Sequence, residues 1–370
     1  MSIPEPRAAE PVLRGMTARK IGVLTFHKCI NYGSYWQARC LVEGLRASGQ
    51  DAELLEHDCP QVNLAEWRCS LQPRLPERTA RSDLPRYKAK ARKFFDAFGQ
   101  LPTSARFPLH QPEAAGEYHA VVVGSDEVWN HRHPWYGNAP IFFGDGLRTG
   151  RLVSYAASFG NYDADGGLAA DWASRLSRFA AISVRDDNSR RLVRAGLGSD
   201  PALVLDPCLQ FPEVIRAAPV DTEQPYAVIY GHGFPDWLST AIRGWADGRN
   251  IRLVSVGYRT SWADEQRIDA GPEEFAGLMA GASAVVTNFF HGCVFALLNG
   301  KPLATAPSDY RFNKVRDLAA KLGLQHRIVT VATSQAELEA LLDTPIEGSI
   351  HQSIRAYRAS SQAYLDAALV

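Results

Sequence analysis

The chain has 370 residues, more than one hydrophobic core usually supports, and its 46% hydrophobic and 22% charged residues are those of an ordinary globular protein. Lys+Arg and Asp+Glu both number 40, so no bulk field draws in nucleic acid or an anionic membrane. The six cysteines form no C-x-x-C pair and no zinc spacing, which makes reduced thiols of a cytoplasmic protein the expectation.

Residues 1–19 lack the apolar stretch of a signal peptide, and their Pro, Ala and Arg content reads as a disordered leader. No later apolar run approaches the ~20 residues that a membrane span needs. Order is expected from "KIGVLTF" (20–26), a strand, followed by a loop, a helix over 35–47 that Gly49 ends, and a strand over 51–58. This is a βαβ opening, so a parallel sheet is predicted.

Residues 60–112 interrupt the rhythm with prolines and a basic helical segment, "PRYKAKARKFFDAF" (85–98). An insertion helix with a solvated basic face is the main reading, and contact with an anionic substrate the lesser one. The alternation then resumes with strands over 119–126, 151–158, 180–186 and 202–207, and helices near 168–179 and 187–195. After a Pro-containing stretch (212–225), a second series predicts strands at 226–233, 251–258, 282–288 and 301–308. Helices at about 236–247, 272–280, 291–299 and 312–322 separate them, and the tail is a long helix.

The pattern predicts an α/β protein of two Rossmann-like doubly wound domains facing a cleft. The N-terminal one spans 20–211 with the insertion 60–112, the C-terminal one spans 224–345, and a helix at 349–370 packs back on the first domain. Ligands of such folds sit at the carboxyl ends of strands, which directs attention to the residues there.

"FHKCINYGSYWQA" follows the first strand; Asn31 and Gly33 suit a tight turn or a loop holding a polar ligand, and Tyr32, Tyr35 and Trp36 suit either a sugar face or the core. It lacks the glycines of a dinucleotide fingerprint. "VVVGSDEVWN" (121–130) sets Ser125, Asp126, Glu127, Trp129 and Asn130 directly after an apolar run. Capping explains one polar residue, whereas two acids, an indole and an amide together suit hydroxyl recognition. Arg185 in "ISVRDDNS" offers a fork for phosphate or carboxylate, or a surface pair with Asp186 or Asp187. "TNFFHGCVFALLNGKP" (287–302) places His291 and Gly292 at a strand end and a helix start, where an anion is favoured. Lys301, Arg311, Lys314 and Arg316 follow as candidate anion contacts or ordinary surface charges. His131 and His133 flank Arg132 without a thiol or carboxylate in a familiar metal pattern.

Together "GVLTFHKCINYGSYWQA", "VVVGSDEVWN", "SYAASFG", "ISVRDDNS", "LVLDP" and "TNFFHGCVFALLNGKP" resemble, in order, the polysaccharide pyruvyl transferase family. The resemblance implies a glycosyltransferase-B-like arrangement and transfer of pyruvate from phosphoenolpyruvate to two hydroxyls of a sugar, giving a cyclic ketal. Phosphoenolpyruvate is then a co-substrate, with no cofactor or metal. The acceptor is a sugar, glycan or lipid-linked saccharide.

On that resemblance His291, with Asp126 and Glu127, is expected to be catalytic. Arg185, Gly292, Asn288, Lys301, Arg311 and Lys314 are expected on the donor side. His27, Asn31, Tyr32, Gly33, Trp36, Gln37, Ser125, Trp129 and Asn130 are expected to face the acceptor. Three positions depart from the family pattern: Trp36 stands for a leucine, Glu127 for a glutamine, and Phe290 for an arginine or serine before the H-G. A nucleotide-sugar glycosyltransferase and a non-catalytic carbohydrate-binding relative are the rival readings, and a homo-oligomer is left open.

Overall fold

Two all-parallel sheets organise the chain. The computed structural model describes residues 19–76, 78–137, 139–220 and 222–370, and among these the side chains of all but 309–311. Residues 1–18 of the expected leader lie outside the described residues.

The first half runs β1 (Lys20–Leu24), α1 (Tyr32–Ala47), β2 (Asp51–Leu54), β3 (His57–Asp58), α2 (Pro60–Leu71), α3 (Leu84–Phe98), β4 (Phe107–Pro108) and β5 (Glu117–Val123). It continues with β6 (Arg148–Ser154), α4 (Ala170–Leu176), β7 (Ser183–Val184), α5 (Asp187–Leu197), β8 (Ala202–Leu203) and α6 (Pro207–Gln210). The strand order β2-β1-β5-β6 is extended through single bridges, Val153 to Ala181 and Ala157 to Val184, toward the pair β7-β8. Ile21 to Leu24 and Ala120 to Val123 are apolar on both faces except Gly22, and apart from that glycine they are buried hydrophobic core, as central parallel strands require.

The second half contains β9 (Tyr226–Tyr230), α7 (Asp236–Arg249), β10 (Arg252–Val256), β11 (Glu265–Arg267), α8 (Pro272–Gly281), β12 (Ala284–Thr287), α9 (Phe290–Leu298), β13 (Leu303–Thr305), α10 (Asp309–Leu322), α11 (Gln335–Asp343) and α12 (Gly348–Ala368). Its sheet order is β11-β10-β9-β12-β13. In each sheet the chain starts in the middle, builds to one side and returns to the other. The order therefore reverses beside β1 and β5 in one sheet and beside β9 and β12 in the other.

The predicted strands are present but shorter at 180–186, 202–207 and 301–308, and the strand predicted over 51–58 is split into β2 and β3. Helix α1 begins at Tyr32 rather than Tyr35, because Asn31 Oδ1 accepts from the Gly33 and Ser34 amides and caps it there. One apolar core joins the halves: α1 carries Tyr32 and Trp36 into the same cluster as Phe275 of α8 and Phe295 of α9. Helix α12 returns to the first sheet, where Tyr364 Oη donates to Ser154 O at 2.8 Å and Arg151 Nε donates to Ala368 O at 2.6 Å. Among the described residues no helix is long and apolar enough to cross a membrane.

Candidate active site

Strand β7 ends at Val184, and the next side chain, Arg185, is only 5% exposed. A buried guanidinium needs partners on its donors. Its Nη1 donates to Gln37 Oε1 at 2.9 Å and Asp206 Oδ2 at 3.2 Å, and its Nη2 to Asp126 Oδ1 at 3.4 Å. Gln37 Oε1 also accepts from Ser125 Oγ at 2.7 Å. The Phe290 ring lies 4.8 Å from the guanidinium carbon, a cation–π contact in a dry setting. The aromatic residue before the H-G thus takes part in holding Arg185.

The two carboxylates are held just as firmly. Asp126 sits at φ +82°, a region that aspartate tolerates better than most residues. Its Oδ2 accepts from Ser34 Oγ at 2.8 Å. Asp206 caps α6 through the Cys208 amide at 3.0 Å. Burial alone would raise the Asp206 carboxyl, but His291 and Arg185 beside it hold it well below the usual carboxylate range.

His291 stands in the first turn of α9 with Nε2 3.3 Å from Asp206 Oδ2. That is ion-pair distance without hydrogen-bond alignment, so a proton on Nε2 is not committed to the carboxylate. The ring rests on α1: a Cβ at Gly33 would lie 2.0 Å from His291 Nδ1. Gly292 likewise permits close packing, since a Cβ there would meet Thr287 Oγ1 at 2.0 Å. Asn288 Nδ2 donates to His232 O at 2.7 Å and ties the ends of β9 and β12 together. Glu127 pairs with Lys314 and accepts from Asn130 Nδ2 at 2.8 Å. Burial would raise that carboxyl, but Lys314, Asn130 and Arg185 bring it down to about 2.

These groups open on a cavity of about 260 Å³ between the two sheets. Asn31, Asp126, Glu127, Arg185, His291 and Lys314 line it. Gly33, Gln37, Ser125 and Asn130 stand behind these residues and contact or hold them, while Asn288 and Gly292 pack at the ends of β9 and β12.

Four expected acceptor contacts are corrected. Tyr32 stacks on Phe275 with centroids 4.2 Å apart and donates to Ala270 O at 2.6 Å. Trp36 is fully buried and donates to Pro272 O at 3.1 Å. Trp129 donates to Phe142 O at 2.9 Å within the core of the first half. His27 is buried against Glu56, with Nε2 3.0 Å from Oε2. All four side chains are committed to packing or to internal partners. Lys301 is also corrected: it precedes β13, whereas the cavity lies past the carboxyl end of the parallel strand β12, a helix length away. The Arg311 side chain lies outside the described ones.

The sequence reading missed Asp206, which its place in "LVLDP" at a strand end signals, and the residues Glu66, Tyr87 and Lys90 of the insertion, which also line the cavity. The segment 85–98 is indeed basic outside, with Arg86, Lys88 and Arg92 exposed, but Lys90 is buried. Asp206, Cys208 and His291 bring three metal-ligand atoms within 4.8 Å of one another. Arg185 Nη1 already lies 3.2 Å from the Asp206 oxygen, so a metal cation there would face a guanidinium. The donor set fits an arginine-held acid–imidazole pair better than an ion.

The fold is shared with UDP-N-acetylglucosamine 2-epimerases. The structure of the Methanocaldococcus jannaschii enzyme matches with a TM-score of 0.51 at 10% identity, covering 93% of this chain and 99% of that one. The Neisseria meningitidis enzyme, bound to UDP-GlcNAc, matches with a TM-score of 0.50 at 11% identity, covering 94% and 99%. At such identities the likeness concerns the fold alone, which is the glycosyltransferase-B-like one of two Rossmann-like domains. No curated protein matches the chain. A family model does, over residues 31–307, which take in the Asn31 cap, the acids after β5, Arg185, Asp206 and the His291 turn: the chain belongs to the polysaccharide pyruvyl transferase family.

Proposed function

We propose that this cavity transfers the pyruvyl group of phosphoenolpyruvate to two hydroxyls of a sugar, glycan or lipid-linked saccharide, in the cytoplasm, with release of phosphate. The observation that carries the reading is the compact cavity in which Arg185, His291 and Lys314 meet Asp126 and Glu127. Its volume of about 260 Å³ suits a small anionic donor. In the proposed step, C3 of the enol phosphate takes a proton from His291 and C2 becomes electrophilic. One acceptor hydroxyl adds to C2, the C2–O bond to phosphate breaks, and the second hydroxyl closes the ketal. Two hydroxyl protons are released: one restores His291 and the other leaves with phosphate. Asp206 lies beside His291 and helps to hold the imidazole in place, and Asp126 orients the incoming hydroxyl. Arg185 and Lys314 offset the charge that develops on the departing phosphate.

The test is phosphate release from phosphoenolpyruvate in the presence of a panel of saccharides with neighbouring free hydroxyls. Wild type should release phosphate only with an acceptor present, and His291→Ala should lower the rate about 10²–10⁴-fold without changing the unfolding temperature. Thermal protection by UDP and none by phosphoenolpyruvate would instead indicate a nucleotide-sugar transferase.

A further inference from the structure

Helices α2 and α3 close one wall of the cavity, and α3 is pinned to the second half of the molecule. Arg86 Nη1 donates to Gln266 O at 3.2 Å and Lys93 Nζ lies 2.7 Å from Glu274 Oε2. Between these anchors, Lys90 is 4% exposed and turned inward. Its Nζ donates to Gly257 O at 3.1 Å and lies over the rings of Tyr258, at 4.6 Å, and Tyr32, at 4.9 Å. Among the described residues no carboxylate lies within ion-pair distance of it, whereas Arg185 and Lys314 in the same cavity both have one. One turn earlier, Tyr87 is 1% exposed and its hydroxyl makes no aligned hydrogen bond. The Arg259 backbone that approaches it offers an N–H, so the hydroxyl proton has no acceptor. Both residues line the cavity.

We propose that Lys90 and Tyr87 form an oxyanion subsite on the α3 wall, taking the phosphoryl or carboxylate group of a small substrate. The ammonium feels the Glu66 carboxyl only from beyond ion-pair distance, and it and the buried hydroxyl without an acceptor are satisfied together by one oxyanion. Burial draws the ammonium down to about 7, so an arriving anion also restores its full charge. The subsite lodges against Gly257, past the end of β10, while Arg185 projects from the first sheet. The Lys90 ammonium is thus held against the second half and the Arg185 guanidinium among residues of the first. Assigning them to the two ends of phosphoenolpyruvate rests on the pyruvyl-transfer reading; the anion subsite itself does not.

The experiment is calorimetric titration of the full-length protein at pH 7 with inorganic phosphate and, separately, with pyruvate. Lys90→Met should weaken one of these anions about 10–100-fold and Tyr87→Phe the same anion about 3–10-fold. Loss of phosphate identifies a phosphoryl subsite and loss of pyruvate a carboxylate subsite; either supports the proposal. The unfolding temperature of Lys90→Met should equal or exceed that of wild type, which a merely structural lysine would not allow. If Lys90→Met fails to fold, Tyr87→Phe decides alone. A wild type that binds neither anion, or variants that bind both as wild type does, overturn the subsite. Wild-type anion binding without any phosphate release from phosphoenolpyruvate would leave the subsite standing and remove pyruvyl transfer. Turnover with unchanged anion affinities in both variants would do the reverse.

Discussion

Arg185 and Lys90 are buried cations of one cavity, and they are stabilised in opposite ways. Arg185 is tied to Asp126, Asp206 and Gln37 before any substrate arrives, so its geometry is fixed and its charge is already balanced. Lys90 rests on aromatic faces and one carbonyl, with no carboxylate beside it. The first arrangement is costly to break and the second is costly to leave empty. Arg185→Met should therefore destabilise the protein by about 3–5 kcal/mol, because two buried carboxylates lose their counter-ion. Urea unfolding measures this, and the comparison fails if Arg185→Met unfolds no earlier than Lys90→Met.

A smaller change separates position from charge. Gly33 lies in the first turn of α1, where alanine suits the helix better than glycine. An added Cβ would nevertheless meet the His291 ring at 2.0 Å and push it from Asp206. Gly33→Ala should keep the unfolding temperature close to wild type and lower kcat for phosphate release about 10²-fold, the usual cost of misplacing a reacting group by an ångström. An unchanged kcat would show that the contact between α1 and His291 does not position the imidazole.

Much of this was legible in the sequence because parallel sheets write themselves as short apolar runs that end in polar residues. "VVVGSDE", "ISVRDD" and "VVTNFFHG" each mark a strand end at or beside the cavity. What stayed hidden depends on which way a helix faces. Tyr32 and Trp36 are four residues apart, and once Asn31 caps α1 ahead of them both fall on its buried face; with the helix expected only from 35, Tyr32 fell in the loop, and the two rings suggested a sugar platform. Lys90 lay within an apparent charge run, yet Tyr87, Ala91, Phe94 and Phe98 form the apolar stripe of α3 and Lys90 falls on it. Lys301 was close to His291 in sequence, but α9 carries the chain back to the other end of the sheet before β13 begins.

Two acids of the cavity extend the comparison to pH. Glu127, paired with Lys314, is held down to about 2, whereas burial pushes Glu66 up to about 7. Glu66 Oε1 accepts from the Ile30 amide at 2.7 Å, and its Oε2 is buried with no partner. An unfolded glutamate loses its proton near ~4.3, so between there and about 7 the folded chain binds the extra proton. Stability contributed by Glu66 is thus fully present below ~4.3 and falls as pH rises through about 7. Glu127 acts in the other direction, contributing stability above ~4.3 that is lost on acidification toward about 2. Lys90 falls outside this window, because an amine drawn down to about 7 adds stability only as pH rises from there toward ~10.4. Between pH 5 and 7 Glu66→Gln should therefore remove a decline of about 1–2 kcal/mol, after discounting for the partial exposure of the side chain. Parallel urea titrations of wild type and variant across that window measure it. Equal slopes would mean that the Glu66 carboxylate is already solvated when ionised, and the contrast with Glu127 would then be one of partners rather than of burial.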